Sequence, residues 1–176
     1  MENPAVTLFR QYLRLKTVQP EPDYGKYLIF SLYHIKSNSY HCIDSAIVFL
    51  KKIIDEIGLD HKTIAPDAKR PILIATWKGL DPSLPTILLN SHTDVVPVYA
   101  DQWKCDPFEA VKDSDGKIYG RGTQDMKCVT IQYLEAIRNL KAQGVQLKRT
   151  IHLTFMPGKK ITHQFMSNNH NKMFHF

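Results

Sequence analysis

Apolar residues recur at helical spacing in three stretches of the chain. Near the start, Val6, Phe9 and Leu13 interleave with Leu8, Tyr12 and Leu15, two neighbouring rows of one helix. Asn3 is a suitable cap for it, and Pro4 suits a first helical position. Ile43, Ile47, Leu50, Ile54 and Ile57 form a second stripe and predict a helix over about 44–57, stopped by Gly58. Val129, Tyr133, Ile137 and Leu140 predict a third over 126–143, ended by Gly144. Two short apolar runs, 72–77 and 86–90, predict buried strands, and the alternating run 150–156 predicts another. Residues 18–25 read as a Pro-rich loop. Helices mixed with buried strands, without an internal repeat, predict a layered α/β domain.

Composition narrows the class without changing that picture. The chain has 176 residues, the size of one domain or of a piece of a larger protein. Its 43% hydrophobic and 23% charged residues argue against disorder, collagen-like repeats and a disulfide scaffold. Cys42, Cys105 and Cys128 form no CxxC pair and read as reduced thiols, which predicts a cytoplasmic location. No signal peptide is legible at Met1, and the apolar cluster at 28–33 is too short to span a bilayer, so no membrane is expected as a partner. The net charge of +6 is uneven: Arg138, Lys141, Lys148, Arg149, Lys159, Lys160 and Lys172 follow the last acidic residue, Glu135. The chain lacks a basic face interleaved with aromatics, which argues against a nucleic-acid partner.

Two segments depart from this texture. Residues 26–44 (KYLIFSLYHIKSNSYHCID) intervene between the loop and the second helix, and 158–176 (GKKITHQFMSNNHNKMFHF) carry no acid and no clean period. Both adjoin a Gly-Lys pair whose codons match a splice-donor string. The expectation is that 1–157 form a partial catalytic domain with an atypical insert at 26–44, and that 158–176 are an atypical tail of intronic origin. The plainer alternative is a lineage-specific loop and tail.

Candidate chemistry gathers between residues 86 and 127. The strand at 86–90 leads into Asn90-Ser91-His92-Thr93-Asp94, and functional groups collect at the carboxyl ends of strands in open α/β sheets. A neutral imidazole is a good zinc ligand. Asp94, two residues on, falls on the same side of an extended segment and suits the carboxylate that orients a metal-bound ring. The plainer reading of this triplet is a capped strand end. Further on, Tyr119-Gly120-Arg121-Gly122-Thr123-Gln124-Asp125 carries two glycines for a tight path and sets Asp125 at the start of the third helix. Asp125 reads either as a helix cap or as a carboxylate metal ligand. Trp77, Trp103 and Phe108 read as packing, and Asp113-Ser114-Asp115-Gly116 as a turn rather than a calcium loop.

Taken together, SHTDVVPV (91–98) and WKCDPFEAVKDSDGKIYGRGTQDMKC (103–128) resemble the zinc-dependent aminoacylase/carboxypeptidase family of dinuclear metallohydrolases. Residues 6–25 and 131–157 extend the likeness. The resemblance implies a three-layer α/β zinc-peptidase-like catalytic domain, present as its N-terminal part. It implies two Zn2+ ions, with His92 on one, Asp125 bridging both, and Asp94 as a catalytic-centre residue supporting His92. It further implies hydrolysis of small-molecule N-acyl amino acids, a glutamate as general base, and a homodimer in the intact family whose dimerisation domain is absent here. Where the family places Asp-Glu-Glu after the last strand, this chain reads Gly158-Lys159-Lys160. An inactive chain is therefore expected, with a related dipeptidase or carboxypeptidase, or a non-catalytic truncated form, as alternatives. His163, His170 and His175 do not match the family's spacing and read as incidental.

Overall fold

The computed structural model describes residues 2–18, 39–65 and 71–158, and of residues 39–44 the backbone alone. Helix α1 spans Pro4–Arg14, with the Asn3 side chain accepting a hydrogen bond from the Ala5 amide at 2.9 Å. Proline has no amide to lose at the first position, so cap and start agree with the sequence. Tyr12 and Leu13 are its fully buried residues.

Helix α2 spans Ser39–Ile57, starting earlier than the apolar stripe suggests. Its backbone thus covers 39–44, the end of the atypical stretch; the rest of that stretch, and residues 159–176, lie outside the described residues. Ile47, Leu50, Ile54 and Ile57 are buried as the stripe requires, joined by Ala46 and Ile53. Gly58, at φ +72°, ends the helix in the left-handed conformation.

Four strands form one sheet in the order β1-β2-β6-β3. They are β1 (Asp60–Ile64), β2 (Ile72–Trp77), β3 (Ile87–His92) and β6 (Ile151–Met156). β1 pairs antiparallel with β2, and β2 antiparallel with β6. β3 runs parallel to β6 in the register His92↔Met156, so the segments leaving the two strands emerge side by side. A small hairpin, β4 (Val111–Lys112) and β5 (Ile118–Tyr119), closes over the Asp113–Gly116 turn, where the Asp113 carboxylate accepts from the Lys117 amide.

Helix α3 spans Lys127–Ala142 and returns the chain to β6. Its buried face is Lys127, Thr130, Ile131, Leu134 and Ile137. The expected stripe of Val129, Tyr133 and Leu140 is displaced to the flank, and only Ile137 is shared. Two polar residues head the buried face, which hides its period from a hydrophobicity pattern.

The main core joins all three helices to one face of the sheet. Tyr12, Leu50, Ile54 and Leu134 meet Leu73, Ala75, Leu153 and Phe155 there. Each large aliphatic side chain so buried contributes roughly 1.5–3 kcal/mol. Alternate residues Ile72, Ile74 and Met156 form a smaller cluster on the opposite face. Among the described residues no helix is long and apolar enough to cross a membrane.

Candidate metal centre

His92 is the last residue of β3, which runs two residues further than its apolar run. Its side chain is 8% exposed. Nδ1 lies 2.9 Å from the backbone carbonyl of Asp94 and 3.0 Å from the Asp94 carboxylate. Nε2 lies 2.9 Å from Oδ1 of Asp125, 33 positions along the chain. Both ring nitrogens therefore face acceptors, and the ring donates from both only as an imidazolium. Burial pushes the pKa of His92 down, but the hydrogen bond and charge of Asp94, followed by the hydrogen bond to Asp125, outweigh it and hold the pKa above its ordinary 6.5. Asp125 does not cap α3, because the cap position falls to Met126 without a side-chain bond.

The loop carrying Asp94 is clamped on both sides. The Thr93 amide donates to the Met156 carbonyl at 2.8 Å, and the Thr17 hydroxyl donates to the Thr93 carbonyl at 2.6 Å. The Val95 amide donates to the Thr17 carbonyl at 3.0 Å. Because β3 and β6 end in register, Gly158 follows the strand beside Asp94: a Cβ at Gly158 would sit 3.5 Å from Asp94 Oδ2.

The loop carrying Asp125 is drawn against the first. Gly122 has φ +94°, and a Cβ there would lie 2.8 Å from Val95 Cγ1 and 3.3 Å from Lys127 Cδ. A residue without a side chain is required for this approach. The Gly122 carbonyl accepts from the Lys127 amide at 3.0 Å, and the Arg121 amide donates to the Pro107 carbonyl at 2.7 Å.

Lys127 is fully buried. Its Nζ donates to the carbonyls of Tyr12 at 3.0 Å and Leu15 at 2.7 Å, and lies 4.8 Å from the centre of the Tyr12 ring. Lys127 lies inside the 103–128 motif and Gly158 opens the triplet after the last strand, yet no pattern marks a role for either residue, and Thr17 lies far from both motifs in sequence. Arg121 stacks over Trp103 at 5.2 Å and Lys16 over Phe108 at 5.5 Å, while Trp77 packs on the main core. Cys105 and Cys128 are free thiols.

His92 and Asp125 offer one nitrogen and one oxygen donor of types that zinc accepts, but a zinc site takes three or four, and among the described residues no group of three or more His, Cys, Asp or Glu is placed to hold a metal. With Asp94 on Nδ1, Nε2 is the ring nitrogen that faces Asp125.

Residues 88–158 match the family model described as peptidase family M20/M25/M40. Aminoacylase-1 of Sus scrofa is 49% identical over 160 residues, 91% of this chain and 35% of that protein. Among solved structures, an M20 family metallo-carboxypeptidase from Sulfolobus solfataricus superposes with a TM-score of 0.73 at 21% identity, covering 98% of this chain and 36% of that one. Human carnosine dipeptidase 1 gives a TM-score of 0.73 at 17% identity, covering 97% and 36%. The chain spans about a third of the length of the curated relatives it matches. The shared fold, the 88–158 match and the identity over 91% of the chain agree: residues 88–158 match the M20/M25/M40 peptidase family within a chain homologous to aminoacylase-1.

Proposed function

We propose that the chain carries part of the metal centre of an N-acyl-L-amino-acid amidohydrolase, with His92 and Asp125 as zinc ligands and Asp94 as the residue that orients His92. The observation that carries this reading is the 2.9 Å contact of His92 with Asp125 inside a family-matching segment, with Asp94 on the other ring nitrogen. A zinc ion held there supplies a Lewis acid for the scissile amide carbonyl and for the attacking water. The residues of the chain prepare that place. Asp94 fixes the ring and its tautomer, and its charge makes the imidazole a better donor. The carboxylate of Asp125, 54% exposed, faces solvent on one side and His92 on the other. The domain division stands with this reading: 1–157 as the partial catalytic domain, 26–44 as an insert and 158–176 as a tail. A cytoplasmic location, in keeping with free Cys105 and Cys128, goes with it, and homodimerisation belongs to the intact family through a domain other than this one.

Zinc titration of the purified chain, alone and as His92→Ala and Asp125→Ala, tests the ligand assignment. Zinc binding that weakens at least tenfold in both variants is expected. Unchanged binding in either removes that residue from the centre. Hydrolysis of N-acetylmethionine by a chain extended with the remaining family sequence tests the reaction. Turnover that is lost with His92→Ala supports it, and an extended chain that cleaves dipeptides but no N-acyl amino acid overturns the substrate class.

A further inference from the structure

We infer that Lys127 is the positioning residue of the His92–Asp125 pair, holding the start of α3 against the end of α1 and thereby fixing the loop of Asp125 relative to the loop of Asp94. The inference rests on the metal-centre reading of that pair for its consequence, and on the following contacts for its geometry. Lys127 opens α3 two residues after Asp125. A long cationic side chain there has every reason to reach solvent, since burying a charge without partners is costly. It is instead completely buried and points into the C-terminal end of α1.

The acceptors it meets suit a cation. The last carbonyls of a helix lack intrahelical partners and carry the negative end of its dipole. At this end Lys127 donates to the Tyr12 carbonyl, which also accepts from the Leu15 amide at 3.2 Å, and to the carbonyl of the cap residue Leu15, and it lies over the face of the Tyr12 ring. The Leu15 carbonyl also accepts from the Thr17 amide at 3.0 Å. Thr17 then holds both neighbours of Asp94, through its hydroxyl to Thr93 and its carbonyl to Val95. One continuous line of hydrogen bonds therefore runs from Lys127 through the end of α1 to the two residues that flank Asp94. A second tie, from the Thr130 hydroxyl to Ser91 Oγ at 2.9 Å, fixes the first turn of α3 to β3 beside His92. The start of α3 is thus held from two sides, and Lys127 provides the side that leads to Asp94. Lys127 and Thr17 act on the pair through these backbone carbonyls and amides.

The experiment uses the full chain without metal and reads the ring N–H protons of His92 by histidine-selective NMR at fixed pH. The His92–Asp125 hydrogen bond gives a downfield, slowly exchanging Nε2–H signal. Lys127→Met keeps the length of the side chain and removes its donors. The expected result is loss of that signal with the amide spectrum still dispersed. A signal unchanged in position and exchange overturns the inference. Should Lys127→Met fail to fold, Lys127→Gln keeps one donor group on a shorter side chain and Thr17→Val removes the hydroxyl branch to Thr93; a weakened signal in both supports the inference and an unchanged signal in both overturns it. Zinc titration separates this inference from the reading beneath it. A tenfold or larger weakening in both His92→Ala and Lys127→Met supports both. Weakening in His92→Ala alone overturns the role of Lys127 and leaves the metal centre standing. Zinc affinity indifferent to His92→Ala removes the metal centre, and the NMR signal then decides on Lys127 by itself.

Discussion

Two histidines titrate in opposite senses because their neighbours differ. His92 is held above 6.5 by Asp94 and Asp125 in spite of burial, so its charged form is favoured in the folded state. Its contribution to stability is fully present below pH 6.5 and is lost as pH rises through the folded value. His152, on β6, is buried with Nδ1 2.9 Å from the Thr76 hydroxyl. Burial first, and the charge of Lys62 second, push its pKa below 6.5. It therefore contributes stability above pH 6.5 that is lost as pH falls through its folded value. The metal-free chain is expected to be most stable between these two limbs. Thermal melts across pH should show His92→Gln flattening the alkaline limb and His152→Gln the acidic one. A single monotonic slope in the unmodified chain would contradict the assignment. Zinc affinity should rise with pH through the same alkaline window, because the ion displaces the Nε2 proton.

Elements became legible wherever burial and periodicity agreed. The stripe of α2 and the Asn3-Pro4 start of α1 match the structure because the apolar face is the buried face. β1 carries no such signal: Asp60, His61, Lys62 and Thr63 are exposed on the edge of the sheet and alternate too weakly to read as a strand. On α3 the expected stripe overlaps the buried face only in part, at Ile137 and the partly buried Tyr133, because Lys127 and Thr130 head its buried side. At the site, the family motifs pointed to His92, Asp94 and Asp125, but the clamp through Thr17 depends on contacts between residues 76 apart and leaves no local pattern. Gly122 belongs to the legible part, since a glycine beside the site announces a special backbone. With φ +94° and a Cβ position 2.8 Å from Val95 Cγ1, Gly122→Ala should destabilise the chain by about 1–3 kcal/mol, from left-handed strain and the displaced Val95. Denaturant unfolding measures this, and a loss below a few tenths of a kcal/mol would show that the loop yields freely. Leu134→Ala, at a fully buried position of α3, should cost about 2–5 kcal/mol in the same assay while leaving the His92 contacts in place.

At the scale of the whole molecule, the parallel register of β3 and β6 decides what borders the centre. His92 and Met156 pair at the ends of the strands, and the chain leaving β6 brings Gly158 within reach of Asp94. Gly158, the last described residue, therefore lies beside the Asp94 carboxylate. Here Gly158 is followed in sequence by Lys159 and Lys160, where the family resemblance implies Asp-Glu-Glu. On the metal-centre proposal, two cations next in sequence to Gly158 would oppose filling by zinc, whereas two carboxylates would offset its charge and add oxygen donors. A carboxylate at that place would also provide a proton acceptor, a contribution worth roughly 10²–10⁴-fold in rate when correctly placed. Replacing Gly158-Lys159-Lys160 by Asp-Glu-Glu in the same 176-residue chain is therefore expected to tighten zinc binding at least tenfold. Raising the ionic strength should narrow the gap between the two chains, because screening weakens the lysine repulsion more than it weakens coordination. Paired zinc titrations at low and high salt test both statements. Equal affinities at low salt would show that residues 158–160 do not border the metal, and the in-register exit of β3 and β6 would then have no bearing on the centre.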